Sequence, residues 1–250
     1  MKEKLHTIPV NEAFESGDEC PFCFLERQAE RSALRYVAGP GASYMEPEVR
    51  GATDRLGFCR CHMKQLHDYG NTLGSALILQ TCYAGILEEF HAEADNFVPP
   101  AKKSLFGRKK SAEDNPLWQR LRQKADSCYI CDKIEYNMER YYLTFFALLK
   151  EEEFRIRVEG SKGFCLPHFA KLLQMAEDAL PNGQREWFYG RVFPLMEENL
   201  IRVKEDLDWL IAKYDYRNAG ADWKNARDAL PRAMQKLESG HPSDGPYKDE

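Results

Sequence analysis

Six of the eight cysteines and two of the six histidines fall into one arrangement that occurs twice. The first copy is Cys20-Pro-Phe-Cys23 followed by Gly57-Phe-Cys59-Arg-Cys-His62. The second is Cys128-Tyr-Ile-Cys131 followed by Gly163-Phe-Cys165-Leu-Pro-His168. The gap from Cys23 to Cys59 is 36 positions (59 − 23), and that from Cys131 to Cys165 is 34 (165 − 131). A C-x-x-C turn brings two sulfurs within reach of one ion. A C-x-x-H at the opening of a helix places its two side chains on one face, because residues three apart are neighbours there. Zinc takes four ligands in a tetrahedron and favours thiolate and imidazole. The pattern therefore predicts two zinc ions per chain. One is expected on Cys20, Cys23, Cys59 and His62, the other on Cys128, Cys131, Cys165 and His168. Three thiolates and a neutral imidazole leave a net charge of about −1 and a closed shell, the structural type of site. No catalytic residue is assigned.

Smaller features accompany the quartets. Gly57 and Gly163 are expected to allow the tight turn that presents each second ligand pair, with Phe58 and Phe164 packing beneath it. Cys61 sits inside the first C-x-x-H, but Pro167 holds the matching place, so the duplicated pattern does not require it. Cys82 reads as a small buried hydrophobe. His67 and His91 have no partner set. Glu48-Val-Arg50 and Glu153-Phe-Arg155 precede the second ligand pairs in both copies. Arg50 and Arg155 are thus candidates to donate hydrogen bonds to the ligand sulfurs, against the plainer reading of two surface arginines. The carboxylates of Glu151, Glu152 and Glu153 read as a solvated helix face.

Rival chemistries fit less well. Cys20-Pro-Phe-Cys23 resembles a thioredoxin-type dithiol, but no βαβ pattern surrounds it. Covalent haem attachment needs C-x-x-C-H, and Phe24 and Asp132 occupy the histidine positions. A closed site of three thiolates and a histidine could still answer to oxidation.

The elements that position these motifs read as helices. Ile130, Ile134, Met138, Tyr141, Tyr142, Phe145 and Leu149 recur at three- and four-residue steps, as do Phe188, Val192, Leu195, Leu200, Val203, Leu207 and Leu210. Pro194 is expected to kink or divide the latter run. Leu73, Leu77, Ala84, Leu87 and His91 form a comparable stripe in the first copy. Strict alternation is missing, so the fold class is all-α: two divergent helical repeats, each with a helix after C-x-x-C, a short acidic helix, and a helix opening at C-x-x-H that leads into a long one. The repeats are placed at residues 1–97 and 117–216. Residues 98–116 between them form a linker broken by Pro99, Pro100 and Gly107. A helical segment follows at 217–238, with Trp223, Ala226, Leu230, Met234 and Leu237 on one face of a pair divided at Pro231, and then a loose tail at 239–250.

Charge and hydropathy narrow the classes. The net charge of −5 argues against a general nucleic-acid coat. Contact with nucleic acid or another anion is confined to the basic linker residues Lys102, Lys103, Arg108, Lys109 and Lys110, for which a solvated linker is the simpler reading. The opening Met1-Lys-Glu-Lys-Leu-His carries no apolar signal region, and the most apolar stretch, Leu73 to Leu87, is too short and polar to span a bilayer. These features predict a soluble cytoplasmic protein, where reduced thiols favour metal binding over disulfides.

The paired motifs, the Lys-Lys-Ser-Leu-Phe-Gly-Arg-Lys-Lys linker, Asp215-Tyr-Arg-Asn218 and Arg227-Asp-Ala-Leu-Pro-Arg232 resemble a bacterial family of unknown function, over about residues 20 to 238. Some members carry the label of ABC-transporter substrate-binding protein. No export signal or lipid-attachment cysteine accompanies that resemblance here, so it implies a family and a bacterial origin but no reaction. The preferred function class is a non-catalytic zinc-stapled helical scaffold that binds a protein or other macromolecule. A thiol-based redox or metal-responsive regulator using Cys20/Cys23 or Cys128/Cys131 is the alternative, and a small-molecule binding protein a further one.

Overall fold

The computed structural model describes residues 6–97, 115–242 and 244. Among these, eleven α-helices and no strands are found. The chain forms α1 (Thr7–Glu15), α2 (Pro21–Ala38), α3 (Pro47–Leu56), α4 (Arg60–Tyr69) and α5 (Thr72–Asp95). The second copy runs as α6 (Pro116–Asp126), α7 (Tyr129–Leu148), α8 (Glu152–Glu159), α9 (Leu166–Ala179) and α10 (Asn182–Ala212), and α11 (Ala229–Glu238) follows. The repeat is thus one helix longer than the motifs suggested, since α1 and α6 each precede a C-x-x-C. The basic linker residues 102, 103 and 108–110 lie outside the described residues, as does nearly all of the expected tail beyond Pro242.

Local chemistry explains where helices begin. Asn115 accepts hydrogen bonds from the amides of Leu117 (2.9 Å) and Trp118 (3.3 Å), and Pro116 occupies the first turn of α6, where its missing N–H costs nothing. Asn71 caps α5 in the same way through the Gly74 amide at 2.9 Å.

The described residues divide into two compact units, one built from residues up to Ala29 with Tyr136–Asp244, the other from Glu30–Glu135. Each unit draws helices from both repeats. The first has an aromatic core in which Phe14, Phe22, Phe145, Phe154, Phe164 and Phe188 are all buried. Phe22 stacks on Tyr142 with centroids 4.6 Å apart, and Phe14 stacks on Phe145 at 5.7 Å. Each buried phenylalanine contributes about 1.5–3 kcal/mol. Ile130, Met138, Tyr142, Phe145 and Leu149 are buried as their spacing predicts. The second unit packs Leu34, Val37, Val49, Leu66, Ile78, Cys82 and Ile130 into its own core.

Four expectations from the sequence need correction. The expected stripe of α5 is largely exposed, with Leu73 and Leu87 more than half accessible, and the buried face is Gly74, Ile78 and Cys82. The helix is apolar nearly all round, so periodicity alone could not choose its inner face. In α11 the expected apolar face is the outer one. Leu230, Met234 and Leu237 are exposed, while Ala229, Arg232, Gln235 and Lys236 are buried, the three polar ones against acidic partners. Pro231 sits in the first turn of that single helix and divides nothing. Pro194 lies inside a single 31-residue α10, so it does not divide that helix. A lost amide bond costs about 3 kcal/mol, which the buried Phe188, Val192, Leu195, Met196 and Val203 on the same helix offset.

Candidate metal centres

The eight ligand candidates converge into two groups, and the membership differs from the expectation. Cys20 and Cys23 meet Cys165 and His168, while Cys59 and His62 meet Cys128 and Cys131. Each C-x-x-C therefore joins the C-x-x-H of the other copy. In each group the four ligand atoms lie within 4.8 Å of one another. The first group belongs wholly to the first unit and the second wholly to the second.

Four helix N-termini present these side chains. Cys20 and Cys128 immediately precede α2 and α7, and Cys23 and Cys131 follow in the first turns. Cys59 and Cys165 are the N-cap residues of α4 and α9, with φ/ψ of −70°/168° and −75°/161°. His62 and His168 come three residues later on the same face. Each centre thus sits at two positive helix ends, which favour thiolate and offset the net negative charge of a three-thiolate ion complex. Gly57 and Gly163 adopt φ of 61° and 71°, the left-handed turn that the motif required. A Cβ at Gly163 would also stand 3.1 Å from the Met196 sulfur. Phe164 is fully buried and Phe58 packs on the second core.

The geometry fits one tetrahedral ion per group. With bonds of the usual length, tetrahedral edges are about 3.6 Å for S···N and about 3.8 Å for S···S. In the first centre the His168 Nδ1 lies 3.5 Å from Cys20 Sγ, 3.5 Å from Cys23 Sγ and 3.0 Å from Cys165 Sγ. In the second, His62 Nδ1 lies 3.2 Å from Cys59 Sγ, 3.2 Å from Cys128 Sγ and 3.4 Å from Cys131 Sγ, and the Cys59 and Cys131 sulfurs are 3.9 Å apart. Both imidazoles present Nδ1 to the sulfurs and turn Nε2 to a carboxylate. His62 Nε2 is 3.0 Å from Glu30 Oε1, which also accepts from Gln65 Nε2 at 3.0 Å. His168 Nε2 is 3.5 Å from Glu26 Oε2. A carboxylate on the outer nitrogen fixes the tautomer and raises the donor strength of the inner one.

Without an ion the groups hold their own protons. Burial opposes a charged His62, but hydrogen bonds to the Cys128 thiolate and Glu30 outweigh it and pull the imidazole up to about 10. Burial likewise opposes charging of Cys128, yet the His62 partner brings this thiol down to about 6. His168 is drawn up to about 10, against its burial, by Cys165 and Cys20. Cys131 reaches the surface, yet partial desolvation of its thiol and the charges of Cys128 and Cys59 hold it above its ordinary value.

The two centres brace their ligand loops differently. In the second, the Tyr129 amide donates to the Gly57 carbonyl at 2.9 Å and the Ser127 hydroxyl to the Leu56 carbonyl at 2.6 Å. In the first, Pro21 occupies the place of Tyr129 and has no N–H to give. Lys236 of α11 supplies the link instead. Its ammonium, almost fully buried, donates to the Glu19 carbonyl at 2.5 Å and to the Lys162 carbonyl. The Glu19 carboxylate, also buried, meets Arg202 at 2.5 Å and Lys236 at 3.5 Å.

Other expectations resolve plainly. Cys61 is exposed and outside both groups, and Cys82 is buried with its thiol donating to the Thr53 carbonyl at 3.4 Å. His67 and His91 are exposed, His67 pairing with Asp68 at 3.4 Å. Arg50 and Arg155 do not serve the sulfurs. Each donates Nε to the carbonyl six residues upstream, Arg50 to Tyr44 at 2.9 Å and Arg155 to Leu149 at 2.6 Å, so the arginine of each Glu-x-Arg clamps the turn before each short helix. Sequence reasoning missed Glu26, Glu30 and Lys236. The position matching Glu26 in the second copy is Ile134, so comparison of the repeats gives no sign of a carboxylate there. The one available signal is chemical, that a metal-bound imidazole needs an acceptor on its other nitrogen.

No helix among the described residues is long and apolar enough to cross a membrane. No curated protein and no solved structure matches the chain. Residues 1–244, a wider span than the motifs alone suggested, match one family throughout. The chain belongs to that family, described as a family of unknown function, DUF6062.

Proposed function

We propose that the protein is a non-catalytic zinc-binding helical scaffold, with one zinc ion held by Cys20, Cys23, Cys165 and His168 and another by Cys59, His62, Cys128 and Cys131. The observation that carries this reading is the convergence of four protein donors on one point in each unit, with edges of tetrahedral size. Three sulfurs and an imidazole nitrogen select zinc among common divalent ions, since magnesium and calcium prefer oxygen. A donor set this tight surrounds a single ion and supplies all four of its ligands, which is the closed arrangement of a structural site. Bound zinc would lock helix N-termini from distant parts of the chain to one another and so hold the helical surfaces in place. Its partner is proposed to be a protein. Support comes from Leu73, Tyr83, Leu87 and Phe90, large apolar residues exposed together on α5.

Elemental analysis of protein purified without chelator tests the metal reading: two zinc per chain are expected, and little metal, or iron in place of zinc, refutes it. For the partner, crosslinking maps of the native protein and of a Tyr83→Glu/Leu87→Glu variant should differ by peptides attached at α5. Identical maps refute the interaction role.

A further inference from the structure

The two centres share a donor set but not a degree of protection. In the first, Cys20 and Cys165 have no accessible surface and Cys23 has 1%. An oxidant reaches such sulfurs only when the unit opens. In the second, Cys128 is buried, but Cys59 is half-buried and Cys131 is exposed. The two accessible sulfurs are also near neighbours, 3.9 Å apart. A disulfide bond is about 2.05 Å long, so about 1.9 Å of approach joins them, within reach of side-chain rotation about χ1 at the two helix ends that carry them.

We infer that the centre formed by Cys59, His62, Cys128 and Cys131 is an oxidation-responsive metal site, in which hydrogen peroxide joins Cys59 to Cys131, while the buried centre keeps its ion. This rests on the zinc reading above. The Cys131 thiolate attacks one peroxide oxygen, the O–O bond breaks, and the products are a sulfenic acid and hydroxide. The Cys59 thiolate then attacks the sulfenic sulfur, the S–O bond breaks, and a second hydroxide leaves. Two thiolates lose two electrons in total and peroxide gains them. The Cys59–Cys131 bond removes two of four donors, and Cys128 with His62 cannot hold an ion alone. A dithiol reductant reverses the change. Cys61, also exposed, lies outside the donor group and takes no part. The inequality assigns two tasks to one repeated motif: a permanent staple in the first unit and a releasable one in the second.

The test uses the full-length zinc-loaded protein, treated with a small excess of hydrogen peroxide in the presence of a chromogenic zinc chelator, followed by non-reducing peptide mapping. Release of one of two zinc equivalents, loss of two thiols, and a peptide linking Cys59 to Cys131 are expected, with zinc binding restored by reductant. A Cys61→Ser variant, altered at an exposed position, should behave identically. Release of both ions together, release of neither, or a bond that involves Cys20, Cys23, Cys61, Cys128 or Cys165 overturns the inference. Protein that holds no zinc before peroxide is added overturns the underlying metal reading instead, so the two failures are distinct.

Discussion

Replacing Cys165 with serine separates crossed ligation from ligation within a repeat. The Cys165 sulfur lies 3.0 Å from His168 Nδ1 in a group completed by Cys20 and Cys23. Removing it leaves three donors, and about one zinc equivalent should be lost. Because Cys23 and Cys165 are 142 positions apart (165 − 23), the consequence appears far away in sequence. Cys20 and Cys23, both buried in the native protein, should become reactive to a maleimide, while Cys59, Cys128 and Cys131 keep their native rates. An ion present at about 1,000 times its dissociation constant stabilises the folded state by about 4 kcal/mol. For a chain of this size each kcal/mol moves the melting temperature by about 2–4 °C, so a drop of about 8–16 °C is expected. The assay is maleimide labelling with peptide mass spectrometry beside a zinc count and a thermal melt. Labelling of Cys128 and Cys131 faster than in the native protein, with Cys20 and Cys23 still protected, would refute the crossed arrangement outright.

Further outcomes follow from the same geometry. Glu30→Gln should lower zinc affinity at the second centre by about 10- to 100-fold and Glu26→Gln that at the first, since each removes the carboxylate behind a ligand histidine; chelator competition measures both, and equal weakening of the two centres by either change refutes the assignment. Lys236→Met leaves two loop carbonyls without their donor, while Glu19 keeps Arg202, so about 1–3 kcal/mol of stability should be lost in chemical denaturation, with the first centre's zinc exchanging faster than the second's. Zinc uptake at pH 7 should release at least two protons per ion, because His62 and His168, drawn up to about 10, are protonated in the metal-free chain and Cys23 and Cys131 are held as thiols. Protons lost on binding make affinity rise with pH and fall in acid; an indicator titration that detects no proton release contradicts the ligand set.

What could be read from the sequence was local. The turn chemistry of C-x-x-C, the helix-opening C-x-x-H and the left-handed glycines at 57 and 163 involve residues a few positions apart, so spacing determines them. The eight donors and the all-helical class followed from that, together with the buried stripe of α7. Which pair meets which was not local. Gaps of 36 and 34 residues make within-repeat pairing the shorter closure, but loop entropy grows only as the logarithm of length. Closing 142 residues instead of 36 costs about 1.2 kcal/mol more, less than burying one phenylalanine such as Phe22 beside Cys23 contributes. Packing of the aromatic core therefore decides the partnership. The same reason hides Glu26 and Glu30, whose role exists only once α2 lies beside each histidine, and the inner faces of α5 and α11. An apolar helix offers several faces to bury, and α11 turns Arg232 and Lys236 inward because Asp206 and Glu19 await them there. Residue type and spacing pointed to the side chains that could hold a metal; the tertiary fold decided which of them stand together.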